Sequence, residues 1–99
     1  MAEFRLTTTA VSHIEEIFGF STQQFGEAQA EAYVEGLKRT LGLLAEFPRM
    51  GMAVYELRPG MRRFVYSSHI VFYTPHEHFV LINAIIHSKR NIRRHMFDI

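Results

Sequence analysis

Apolar residues recur every three or four positions through the first half of the chain and every second position through the last third. Helices are therefore predicted first and strands after. The opening Glu3-Phe4-Arg5-Leu6-Thr7 alternates polar and apolar and predicts a short strand. Thr9 is placed to cap a helix from about Ala10 to Phe25. Val11, Ile14, Phe18 and Phe25 form its core stripe, widened by Ile17. Phe25-Gly26 marks the break before a second helix over about Glu27–Glu46, whose stripe is Ala30, Tyr33, Val34, Leu37, Leu41 and Leu44. Glu35 and Arg39 stand four apart as an ion pair on its outer face. Gly36 and Gly42 weaken this helix, or else permit close helix–helix contact.

Pro48–Gly60 has two prolines and two glycines besides little periodicity, and reads as a loop with a short extended piece. Strands are predicted at Arg62–Tyr66, His69–Thr74 and Phe79–Ile86, joined through Ser67-Ser68 and Pro75–His78 as an antiparallel meander. The tail Asn91–Phe97 is basic and suits one or two helical turns. The whole, residues 1–99, reads as a single α+β domain in the order β-α-α-β-β-β. It comprises an N-terminal strand and an antiparallel helical hairpin packed on a three- to four-stranded antiparallel sheet, then a short basic tail or helix.

The last strand is apolar on both faces, with Phe79, Leu81 and Ile85 on one and Val80, Ile82 and Ile86 on the other. Such a strand needs cover on both sides, and the hairpin supplies only one. The uncovered face predicts an apolar patch for a partner, the favoured reading, or a tail folded over it.

Composition changes this picture in three ways. The absence of cysteine from the sequence removes disulfides, iron–sulfur clusters and thiolate zinc sites. No apolar run reaches 18 residues and no leader pattern is recognisable, so a cytoplasmic location is expected. The net charge of +1 conceals an uneven division. Residues 1–57 carry eight acids against four bases, whereas residues 58–99 carry seven bases against two acids. A basic face for an anionic partner and charge complementarity between the two halves explain this equally well.

Chemistry is sparse. Nucleotide-binding glycine loops, zinc-protease motifs and nucleophile elbows are missing from the sequence, and no cofactor or metal is called for. His76-Glu77-His78 reads as a solvated turn rather than a metal site. Tyr66, Phe72, Tyr73 and Phe79 read as core rather than as a base-stacking platform. The strongest constellation is Arg62-Arg63, His87 and the tail bases Lys89, Arg90, Arg93 and Arg94. If the end of the last strand approached the start of the first in the meander, a neutral His87 among arginines would suit general-base chemistry at a phosphodiester. Read from spacing alone, solvated strand arginines and a strand-capping histidine are the favoured interpretation.

The order of several phrases is distinctive: FRLTTTAVSHIEEI, FGEAQAEAYVEGL, LLAEFPRMG, PGMRRF, SHIVFY, then Ile85-Ile86-His87 and its basic tail. Together they resemble ParE-type toxins of type II toxin–antitoxin modules, within the ParE/RelE superfamily. The resemblance implies a non-enzymatic toxin that inhibits DNA gyrase and stabilises cleaved DNA, neutralised by a cognate ParD-like antitoxin in a hetero-oligomer. It implies target contacts among Arg62, Arg63, His87, Arg90, Arg93 and Arg94. Antitoxin contacts fall between hairpin and sheet, with Tyr33, Leu37, Leu41, Phe72, Val80 and Ile82 as candidates.

The alternative is a RelE-like, ribosome-dependent messenger RNA endoribonuclease. Pro48–Gly60 lacks the lysines of such nucleases and no tyrosine follows Tyr73, but Glu56, Arg62 and His87 imitate the set of a related nuclease subgroup. Lys89-Arg90 departs from the Ser-Met usual after the ParE histidine.

Overall fold

The computed structural model describes residues 2–92 and 96. Its elements are β1 (Phe4–Leu6), α1 (Thr8–Phe25), α2 (Glu27–Glu46), a 3-10 turn (Pro48–Met50), β2 (Met52–Ala53), β3 (Arg62–Tyr66), β4 (His69–Pro75) and β5 (Val80–His87). The strands form one sheet in the order β1-β5-β4-β3-β2. The predicted α+β arrangement of strand, hairpin and meander is present, with two changes to the sheet. It has five strands, because Met52-Ala53 pairs with Arg63-Arg62. It is also mixed, because β1 runs parallel to β5 while the other pairs are antiparallel. Between β1 and β5 lie both helices and two further full strands, which return the chain in its starting direction.

Helix α1 starts two residues earlier than the sequence suggests, because Thr7 and not Thr9 is its cap. The Thr7 hydroxyl accepts from Ala10 N at 3.0 Å and donates to the Asn83 carbonyl at 3.0 Å. One side chain thus ends β1, begins α1 and ties both to β5. The buried face of α1 is Ala10, Ile17 and Ser21. Val11, Phe18 and Phe25 of the expected stripe instead stay exposed. Helix α2 keeps its expected bounds and buries Ala30, Val34, Leu37, Leu41 and Leu44. The two helices meet at Gly26, whose φ of 91° suits a residue without a Cβ.

Gly36 serves helix–sheet rather than helix–helix contact: a Cβ there would overlap the Tyr66 hydroxyl on β3. Gly42 faces open space. Lys38 rather than Arg39 pairs with Glu35, at 3.9 Å.

The faces of β5 are rearranged by a bulge. Phe72 pairs with Ala84 but Tyr73 pairs with Ile82, leaving Asn83 as the extra residue. Its amide donates to the Thr74 hydroxyl at 2.8 Å. Val80, Ile82 and Ile85 accordingly all join the helix-side core with Leu37, Leu41, Leu44, Val71 and Tyr73. Ala84 and Ile86 face the other way, into a second core with Val54, Met61, Ile70 and Phe72.

That second core corrects the expectation of a partner on the uncovered face. Leu57 from the loop before β3, with Ile92 and Met96 near the C-terminus, packs against it. The chain covers the far face with its own loop and tail. The predicted helix over Asn91–Phe97 lies largely outside the described residues, as do Arg93 and Arg94.

Candidate functional site

β1 shields the edge of β5 only as far as Ile82. Beyond it, side chains of the helical hairpin take over. His13 Nδ1 accepts the Ile85 backbone N–H at 3.0 Å, where a neighbouring strand would otherwise bond. On the other side, Tyr66 donates its hydroxyl to the Tyr33 carbonyl at 2.9 Å, made possible by Gly36. The rings of Tyr33 and Tyr66 meet edge to face at 5.1 Å. Between these anchors, at the Gly26 end of the hairpin, a groove of about 570 Å³ opens.

Its apolar wall is Ile17, Phe20 and Phe25. Its polar lining includes three histidines, His13 from α1 and His69 and His87 from the sheet, with Tyr33, Ser67, Ser68 and Arg90. Glu16 lines it as well. Strand register places His69 opposite His87, and their rings meet edge to face at 5.3 Å. The two-residue turn Ser67-Ser68, with Ser67 at φ 51°, brings Tyr66 and His69 opposite one another. Tyr33 Oη and His69 Nδ1 are 2.7 Å apart. That one hydrogen bond joins the α2 face of the groove to the start of β4.

Burial lowers the His69 pKa, and His87 and His13 act in the same sense. Burial also lowers that of His13; Glu16 opposes this and Arg90 adds to it. Tyr33 is raised by burial, partly offset by its serine donors.

The predicted site residues do not converge. Arg62 pairs with Tyr73 near one end of β4, whereas His87 pairs with His69 at the other. Four residues of strand separate these positions, roughly 13 Å at about 3.3 Å per residue. In an antiparallel meander the end of the third strand lies at the far end of the sheet from the start of the first, so the arrangement that would have joined Arg62 to His87 does not form. Arg62 is engaged elsewhere. Its Nε donates to the Gly51 carbonyl at 3.0 Å, Nη1 to the Tyr55 hydroxyl at 3.2 Å and Nη2 to the Arg49 carbonyl at 3.5 Å. Arg63 pairs with Phe72 on the far face. Glu56 is exposed in the loop before β3. Among the described residues, His87 and Arg90 are the expected cations that share the groove.

Leu37, Leu41, Phe72, Val80 and Ile82 are fully buried in this chain's own cores, so Tyr33 alone of the six antitoxin candidates reaches the surface. His13 and His69 carry no sequence signal, because their partners lie 72 and 36 residues away. Among the described residues no cluster of His, Asp and Glu is placed to hold a metal ion, and no helix is long and apolar enough to cross a membrane.

A helical hairpin clasped to a five-stranded sheet is also the fold of a solved chain of the chromosomal ParDE TA system from P. aeruginosa. The two agree with a TM-score of 0.75 over 88% of this chain and 96% of that one, at 16% identity. The class is thus an α+β domain in which a helical hairpin packs on a sheet. At the sequence level, the family model for the ParE toxin of the type II toxin–antitoxin system parDE matches residues 4–92. Toxin ParE1 of Caulobacter vibrioides is 34% identical over 96 residues, covering 97% of this chain and 99% of that protein. Toxin ParE1 of Mycobacterium tuberculosis is 30% identical over 96 residues, covering 96% and 98%. The chain belongs to the ParE toxin family of type II toxin–antitoxin systems.

Proposed function

We propose that this toxin arrests growth by acting on DNA gyrase in the cytoplasm, without enzymatic activity of its own, and that a cognate ParD-like antitoxin neutralises it by forming a hetero-oligomer. The observation carrying the reading is the ParE family match over residues 4–92. The register that separates Arg62 from His87, and the three bonds that occupy Arg62, support it over RNA cleavage by Glu56, Arg62 and His87. For the antitoxin, the hairpin offers an unused apolar stripe. Val11, Phe18 and Phe25 are seven apart on α1 and exposed, which suits an apolar segment of a partner. His87 and Arg90, grouped at one end of the sheet, are the target contacts this reading favours, with Arg93 and Arg94 following them in sequence.

Induced expression without a partner, with DNA and protein synthesis labelled separately, tests this. DNA synthesis should stop first, and co-expressed antitoxin should restore it. Early loss of protein synthesis, abolished by His87→Ala, would instead establish the nuclease.

A further inference from the structure

The groove holds three imidazoles, each hydrogen-bonded at Nδ1. His13 Nδ1 accepts from Ile85 N and His87 Nδ1 from Lys89 N at 3.1 Å, while His69 Nδ1 is bonded to the Tyr33 hydroxyl. A neutral imidazole that accepts at Nδ1 carries its proton on Nε2. No buried side-chain nitrogen among the described residues lacks a partner, so these Nε2–H donors are open to the groove or to solvent. His69, His87 and Arg90 reach the groove from the sheet side, while Ile17, Phe20 and Phe25 reach it from α1, the helix that also carries His13. A volume of about 570 Å³ is that of a small-molecule site.

The charge inventory narrows the ligand. Arg90 contributes one formal positive charge and Glu16 opposes it with one negative charge. Burial, the largest cause at both, lowers the pKa of His13 and His69 and so disfavours their charged forms. Such a site offers hydrogen-bond donors with little net charge, which fits a monoanion better than a phosphate dianion.

We propose that the groove binds a small carboxylic acid with an apolar body, its carboxylate held by the Nε2–H groups of His69 and His87 together with Arg90, and its body against Ile17, Phe20 and Phe25. The Arg90 guanidinium distinguishes this occupant from a neutral ligand, and the α1 side chains Ile17, Phe20 and Phe25 explain the need for an apolar body. Glu16 sets the strength, because its carboxylate repels the same anion.

The test is a titration of the antitoxin-free toxin with 4-phenylbutyrate at pH 7.5, followed through the histidine ring signals by NMR. Saturable shifts are expected at His69 and His87. The uncharged amide, 4-phenylbutyramide, should bind at least tenfold more weakly. His87→Ala and Arg90→Gln alter exposed residues and should each weaken binding severalfold in a folded protein. Glu16→Gln should tighten it severalfold, a change that loss of structure would not produce. The proposal is overturned if 4-phenylbutyrate causes no saturable shift, if the amide binds equally well, or if an acidic apolar peptide binds the groove while the small acid does not.

Discussion

The hydroxyl of Tyr66 on β3 rests on the bare backbone of Gly36 in α2, donating to the Tyr33 carbonyl one turn earlier at 2.9 Å. A glycine inside a helix costs about 1 kcal/mol relative to alanine, so Gly36→Ala should stabilise an isolated helix. In this fold the added methyl would displace Tyr66 and open the wall of the groove. Gly36→Ala should therefore destabilise the protein by about 1–3 kcal/mol. Gly42→Ala meets nothing within 4 Å and should stabilise by about 0.5–1 kcal/mol. Urea denaturation of the two variants checks the opposite signs.

Acid should weaken the fold through its histidines. His13 and His69 bind protons less readily when folded, whereas the unfolded chain titrates near 6.5. As pH falls below about 6.5 the unfolded state takes up more protons, so stability present at pH 7.5 declines towards pH 5 and levels off once the folded groups titrate. Protonating His13 at Nδ1 also removes the acceptor of Ile85 N. Denaturation midpoints at pH 7.5 and 5.5 should differ in wild type, and by less in His69→Gln. Equal midpoints in wild type would contradict this.

Arg62 is assigned a structural task. Arg62→Lys keeps the charge but loses the fork that reaches Gly51, Tyr55 and Arg49, and should cost about 1–2 kcal/mol. Toxicity should persist at temperatures where the variant is folded. A nuclease using Arg62 would lose activity even at temperatures where the variant is folded.

Ile92 and Met96 are a lid for the second core. Ending the chain at Asn91 removes Ile92 and Met96 from the second core and should lower stability by about 1–3 kcal/mol. A hydrophobic dye such as ANS should bind the truncated form and not the full chain.

Helix α2 is legible in the sequence because its apolar spacing, its glycine start and its burial all agree. Helix α1 misleads by one residue, about 100° of rotation, because Thr7 and His13 fix it to Asn83 and Ile85 through bonds that no local pattern announces. The faces of β5 are hidden for a related reason: the bulge at Asn83 reverses the alternation partway along the strand, so period-two counting separates Ile82 from its helix-side neighbour Ile85. The family phrases are readable without any of this. The groove is not, since it is assembled from α1, α2, the β3–β4 turn and the end of β5.

The central claim, a gyrase-directed toxin, is tested most directly by a supercoiling assay with purified gyrase, ATP and relaxed plasmid. Folded, antitoxin-free protein should block supercoiling and accumulate cleaved DNA, and cognate antitoxin should reverse both effects. Undiminished supercoiling at saturating toxin, with messenger RNA cleaved in a translating extract, would contradict the account.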